Sequence, residues 1–261
     1  MAALTADLAA ESAALYEVLS VLDEQDWHRD TPAAGWTVRD QVSHLAYFDE
    51  TATRAATDPV RFRAEADELV AGGDDFPDRV AESFRDRSGA EVFGWLQRAR
   101  RDYLDTVAAL APSTPLPWYG PDMSAASSVT ARLMETWAHG QDVVDALGLV
   151  RRPTARLRHV AHLGVATAGW SFRLRGRPVP EVPVRVELTA PDGELWTWGP
   201  PDAANRVSGP AEDFCLLVVQ RRHRSETALT ATGPVADEWL DLAQAYAGAP
   251  GPGRAPREGS A

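Results

Sequence analysis

The sequence predicts a helical bundle followed by a small α+β module, and a change of pattern partway along the chain carries that expectation. Up to about residue 175, apolar residues recur at the 3.6-residue helical period. From Pro178 onward they alternate with polar residues and prolines, the mark of half-buried strands. The expected class is therefore α plus α+β. Residues 1–177 form a four-helix bundle with extra helices, residues 178–248 an α+β domain, and residues 249–261 a disordered tail rich in Pro and Gly.

Each element follows from local chemistry. Leu4, Leu8, Leu15, Leu19 and Leu22 keep the helical period and predict a helix over 3–23. After a polar break at Asp30, Thr31, Pro32 and Gly35, the run Thr37-Val38-Arg39-Asp40 reads as a helix start. The Thr37 hydroxyl can take an orphan amide and a carboxylate sits in the positive first turn, so the helix runs to about Thr57. Residues 59–86 read as shorter helical pieces separated by Gly72, Gly73 and Pro77. A long helix spans 89–111 and stops at Pro112; the next runs from Ser124 to Leu147 and ends at Gly148. One more starts near Thr154 and fades around Arg175.

In the second part, Val182, Val184, Val186 and Leu188 predict a strand, Pro191-Asp192-Gly193 a turn, and Leu195-Trp196-Thr197-Trp198 the returning strand. Short strands are expected at 206–208 and 227–232. Gly209-Pro210 and Gly233-Pro234 each open a helix, since proline suits the first helical turn.

Composition narrows the function. Acidic residues outnumber basic ones 38 to 26, a net charge of -12. Nucleic-acid and anionic-membrane surfaces need clustered positive charge, so neither is an expected partner. No stretch nears the roughly 18 consecutive apolar residues of a membrane span, and acids stand where a signal peptide carries bases. A cytoplasmic protein, monomer or homodimer, with a small-molecule substrate is expected. The single cysteine, Cys215, excludes an intramolecular disulfide and a cysteine-cluster metal site. It sits in an apolar run, where burial raises a thiol pKa and leaves the group inert. Every basic residue is Arg, so lysine Schiff-base chemistry is excluded as well.

The candidate chemistry centres on His139. Glu135 lies four residues before it and Asp142 three after, within about 60° of arc on a helix. Leu133, Trp137, Val144 and Leu147 take the opposite side. A carboxylate and an imidazole spaced i, i+4 can both reach one divalent ion, with Asp142 orienting or supplementing the site. Taken alone, the same stripe reads more readily as a solvated helix face. His44 lies off the Val38, Val42 and Leu45 stripe, near Gln41 and Phe48, and facing helices of a bundle can aim such groups at a shared centre.

Trp36-Thr37-Val38-Arg39-Asp40 with His44-Leu45, and Glu135-Thr136-Trp137-Ala138-His139 with Asp142, resemble the DinB-like metal-dependent superfamily. Within it the sequence is most similar to the actinobacterial mycothiol-dependent maleylpyruvate isomerase group, over about residues 1–175. The resemblance implies that His44, Glu135 and His139 bind a divalent metal, usually zinc, although such a donor set also suits nickel or iron. It further implies mycothiol as the thiol used and a C-terminal module similar to sterol-carrier-protein-2 folds. In that module the segment from Gly209 to Arg221 resembles a helix ending in a functional arginine, which points to Arg221. The sequence departs from the pattern by placing Gln220 where family members commonly show glycine.

The resulting expectation is a metal-dependent, thiol-using isomerase or transferase. One alternative keeps the metal and makes water the nucleophile of a hydrolase, with Asp142 or Glu50 as base. Another is a thiol-independent isomerase or cyclase of a biosynthetic pathway. A third is a non-catalytic small-molecule-binding protein.

Overall fold

The computed structural model describes residues 1–251 and 253–256. The chain divides into two compact units, Met1–Arg151 and Arg152–Ala261. The boundary comes earlier than the 177/178 junction expected from the change of pattern. Part of the expected disordered tail (249–261) lies outside the described residues.

The first unit is built on α1 (Ala2–Leu19), α3 (Val38–Thr57), α6 (Gly89–Ala108) and α7 (Ala125–Ala146). Three short helices accompany them: α2 (Glu24–Trp27), α4 (Pro59–Ala71) and α5 (Phe76–Glu82). Helix α3 packs against both α6 and α7, and α1 packs against α7 and α6, which makes the expected four-helix arrangement. Its core gathers Leu15, Leu19, Val38, Val42, Leu45, Val92, Leu96 and Val143, all buried. Burial of each larger side chain contributes about 1.5–3 kcal/mol.

The helix starts follow their side chains. The Thr37 hydroxyl accepts the Asp40 amide while the Asp40 carboxylate accepts the Thr37 amide at 2.9 Å, a complete capping box. Asp40 is itself held by Arg85 at 3.0 Å. This double hold fixes the direction of α3, and with it His44 two turns further on. Helix α7 is capped by Ser124 and stops where Gly148 takes φ +65°.

Pro77 differs from expectation. It lies in the first turn of α5, where a missing amide costs nothing, and does not separate two pieces. A two-stranded antiparallel pair, β1 (Pro115–Leu116) with β2 (Met123–Ser124), leads into α7. Strands of two residues leave no alternation to read.

In the second unit the helix expected over 154–175 is broken at Thr167 into α8 (Leu157–Ala166) and α9 (Ala168–Leu174). The four-stranded sheet has the order β4-β3-β5-β6. Strand β3 (Val184–Thr189) pairs antiparallel with β4 (Leu195–Trp198) and parallel with β5 (Asn205–Pro210). Strand β6 (Thr230–Thr232) closes the other edge. Gly199 turns the chain out of β4 at φ +77°, and a Cβ there would lie 2.3 Å from the Val184 carbonyl oxygen, so only glycine fits.

Helices α10 (Ala211–Val218) and α11 (Pro234–Leu242) complete the unit. Gly164 lets α8 approach α10 so closely that an added Cβ would meet Val218 Cγ2 at 2.9 Å. That packing explains why residues 152–177, helical like the bundle, group with the sheet. Their apolar stripe has found its partner in α10.

Candidate metal centre

Helices α3 and α7 pack face to face, and three side chains meet between them. Glu135 Oε2 lies 3.0 Å from His139 Nε2 and 3.6 Å from His44 Nε2. One donor atom from each of the three residues falls within 4.8 Å of the others. His44 and His139 are 8% and 9% exposed. The stripe that could have been a solvated helix face is thus enclosed, because α3 covers it. Arg132, Gln141 and Asp142 on α7 are buried with it.

Gln41 orients His139. Its Nε2 donates to Thr31 Oγ1 at 2.9 Å, and that hydroxyl in turn donates to the Trp36 carbonyl at 2.8 Å. The Gln41 carbonyl oxygen is left to accept from His139 Nδ1 at 2.5 Å. With the proton on Nδ1, the Nε2 lone pair points at the Glu135 carboxylate, and two acceptors then face each other at 3.0 Å. A cation held between them relieves that opposition. Bonds of about 2.0–2.1 Å at tetrahedral angles place donor atoms about 3.3 Å apart, close to the separations found.

The charge states also suit a cation. Burial, then the neighbouring His139 imidazole, pushes the His44 pKa down to about 3 and keeps that ring neutral. For Glu135, burial works against the charged form. The neighbouring imidazoles of His139 and His44 and the charge of Arg132 outweigh it and hold the carboxyl well below its usual range. Metal ligands must be deprotonated, and both His44 and Glu135 are held in that form.

Aromatic rings wall the centre. Trp36 stacks on His139 with centroids 5.9 Å apart and lies 5.3 Å from His44, while Phe48 sits 4.5 Å from His44. His44 Nδ1 is buried with no hydrogen-bond partner among the described residues, so on that side the rings alone hold the imidazole.

Other expected residues fall elsewhere. Asp142 is fully buried one turn beyond His139 and is not among the three donors. Glu50, a candidate base, is exposed and accepts from Trp95 Nε1 at 2.6 Å. Arg221 belongs to the second unit, directly after α10, where its Nη1 donates to the Val219 carbonyl at 2.8 Å. Cys215 is fully buried, and burial raises its thiol well above the usual range.

The sequence reading missed the roles of Gln41 and Arg132. A signal existed for Arg132, which precedes Glu135 by three residues and shares its helix face.

Comparison with known proteins bears on the family and the fold. The mycothiol maleylpyruvate isomerase N-terminal domain model matches residues 8–144, just over half of the chain. A wyosine base formation model matches residues 180–232, a different likeness from the sterol-carrier-protein-2 module that the residues suggested. Two proteins described as uncharacterised, from two strains of Mycobacterium tuberculosis, are 45% identical over 249 residues, covering 95% of this chain and 97% of theirs.

The crystal structure of the mycothiol-dependent maleylpyruvate isomerase superposes with a TM-score of 0.60 at 14% identity, covering 87% of this chain and 91% of that one. A histidine-to-alanine variant of the same enzyme superposes equally. No helix among the described residues is long and apolar enough to cross a membrane. By the match over its helical unit, the chain belongs to the mycothiol maleylpyruvate isomerase N-terminal domain family, a family named for an enzyme.

Proposed function

We propose that this chain is a metal-dependent enzyme that uses a small thiol of the mycothiol kind to isomerise, or conjugate at sulfur, a small electrophilic metabolite. The observation that carries the reading is the meeting of His44, Glu135 and His139 donor atoms within 4.8 Å, enclosed between α3 and α7. Two imidazoles and a carboxylate suit zinc first, with nickel or iron as alternatives. When bound, such an ion supplies positive charge that favours the deprotonated form of a thiol beside it.

The chain's own residues prepare the site. Gln41 fixes the His139 tautomer, Glu135 stays ionised, and Trp36 and Phe48 limit water around the imidazoles. A dry site strengthens every charge interaction within it. Asp142 is assigned as support behind the ligands, and Arg221, on the family likeness alone, as a residue acting on the substrate.

In the isomerisation, the thiolate sulfur adds to one carbon of an electron-poor cis alkene and the π pair moves onto the neighbouring carbonyl as an enolate. Rotation about the new single bond follows, and collapse of the enolate expels the thiolate unchanged. In conjugation the enolate takes a proton instead and the sulfur stays.

Elemental analysis of wild type beside His44→Ala and His139→Ala tests the centre. Wild type is expected to carry about one divalent ion per chain and each variant to lose most of it. Full retention in both variants would refute the ligand set. Mass spectrometry after incubation with a low-molecular-weight thiol and an electrophilic alkene then tests the chemistry. Turnover of an ester without thiol would favour the hydrolase alternative.

A further inference from the structure

Beside the metal centre stands a buried cation that the proposed reaction does not yet use. Arg132 is 4% exposed and sits on α7, three residues before Glu135. Its guanidinium carbon lies 5.4 Å from the Trp118 ring centroid and 5.8 Å from that of Phe48. Phe48 also touches the His44 imidazole, so one ring borders both the cation and the candidate ligands. No carboxylate among the described residues pairs with Arg132, and its Nη1 is buried without any hydrogen-bond partner.

Desolvating a charge without a partner is costly, and aromatic faces return only about 0.5–2 kcal/mol of that. A fold keeps such a group where a ligand completes it. We propose that Arg132 is an anion anchor beside the metal centre, and that it receives the carboxylate group of a small substrate.

The chemistry of the surroundings selects the anion. A guanidinium fork matches a planar carboxylate with two parallel hydrogen bonds. The single positive charge of the guanidinium is matched by one carboxylate and exceeded by the two negative charges of a phosphate monoester. Trp118 and Phe48 restrain the guanidinium, so little freedom is left to lose on binding. A substrate fixed by its carboxylate presents its neighbouring carbons to the metal centre. The inference rests on the proposed function only in taking the metal centre to be where substrate binds.

Acetate titrated into the purified protein, followed by tryptophan fluorescence, tests it, with neutral acetamide and inorganic phosphate as the other arms. The titration is repeated after dialysis against chelator, so that acetate binding to an ion is separated from binding to Arg132. Saturable binding of acetate in both preparations is expected, with no response to acetamide and weaker binding of phosphate. Arg132→Met should weaken acetate binding at least tenfold while leaving metal content and melting temperature at wild-type values or higher. Arg132→Lys, which keeps charge but not the fork, should fall between.

Wild type that ignores acetate, or Arg132→Met that binds it as tightly as wild type, would overturn the anchor. Phosphate binding tighter than acetate would overturn the carboxylate class. Loss of the metal reading shows instead in the elemental analysis, which these variants do not alter.

Discussion

The helical unit buries Arg39, Arg100 and Arg132, and the last two are treated in opposite ways. Arg100 on α6 is 2% exposed, and its donors are taken up. Nε and Nη2 reach the Asp49 carboxylate at 2.7 and 3.1 Å, Nη1 reaches Ser12 Oγ at 2.8 Å, and Nη2 also reaches Thr136 Oγ1 at 2.9 Å. Asp49 is fully buried beneath it. Arg132, almost as deep, has two aromatic faces and no anion. Thr136 links the two regions, since it accepts from Arg100 and donates to the Arg132 carbonyl at 2.7 Å.

The difference separates structure from function. A closed polar network ties α1, α3, α6 and α7 together and leaves nothing for a ligand. An open one leaves the protein with a group that only a ligand can satisfy.

The largest expected effect comes from breaking the closed network. Arg100→Met leaves Asp49 buried and unpaired, and removing one partner of such a pair costs about 3–5 kcal/mol. Urea unfolding should show that loss. The same substitution at Arg132 breaks no ion pair or hydrogen bond among the described residues, because its charge acts on Glu135 only from a turn away, and should cost much less stability. If the two variants unfold alike, the contrast between satisfied and unsatisfied arginines is wrong.

The next effect lies behind the metal ligands. Gln41→Leu removes the acceptor that holds the proton on His139 Nδ1 and leaves Thr31 without its donor. Loss of such an outer partner typically weakens metal affinity by about 10–100-fold. Competition with a fluorescent zinc chelator measures this directly. Gln41→Glu offers an acceptor at the same place and should retain more affinity than Gln41→Leu. Equal affinity in all three proteins would mean that the His139 tautomer is not set from α3.

Both networks show what a sequence can carry. The start of α3 was legible because Thr37 and Asp40 sit three residues apart and cap one another locally. The pairing of Glu135 with His139 was legible for the same reason, as one turn of one helix. Gln41 was not, because its partner lies 98 residues away and the contact exists only once α3 and α7 pack.

Arg132 carried the opposite difficulty. Beside Glu135 in sequence it reads as half of a surface ion pair, and only the enclosure by Phe48 and Trp118 shows it alone. The parallel pairing of β3 with β5 was hidden as well, since alternation reports a buried face but not a neighbour. The early unit boundary was hidden because an apolar stripe looks the same whether a bundle or α10 covers it.

A half-buried polar group gives the smallest and most exacting case. Helix α10 ends as α7 does, in a left-handed residue, but where α7 has Gly148 at φ +65°, α10 has Gln220 at φ +57°. The closing bonds are intact, with Arg221 N reaching the Leu216 carbonyl at 2.8 Å and Gln220 N the Leu217 carbonyl at 2.9 Å. A side chain in this conformation costs about 1 kcal/mol that glycine would not.

Gln220 offsets the cost by engaging both ends of its amide. Nε2 donates to the Ala243 carbonyl at 3.3 Å, and Oε1 accepts from the Tyr246 hydroxyl. Each bond contributes about 1 kcal/mol. Gln220→Gly therefore trades one saving against two losses and should shift stability by about 1 kcal/mol or less. Gln220→Ala keeps the strain and loses the bonds, so it should unfold about 1 kcal/mol more easily than Gln220→Gly in parallel urea titrations. An alanine variant as stable as the glycine one would show that the turn carries no strain, and that the amide is held there without need.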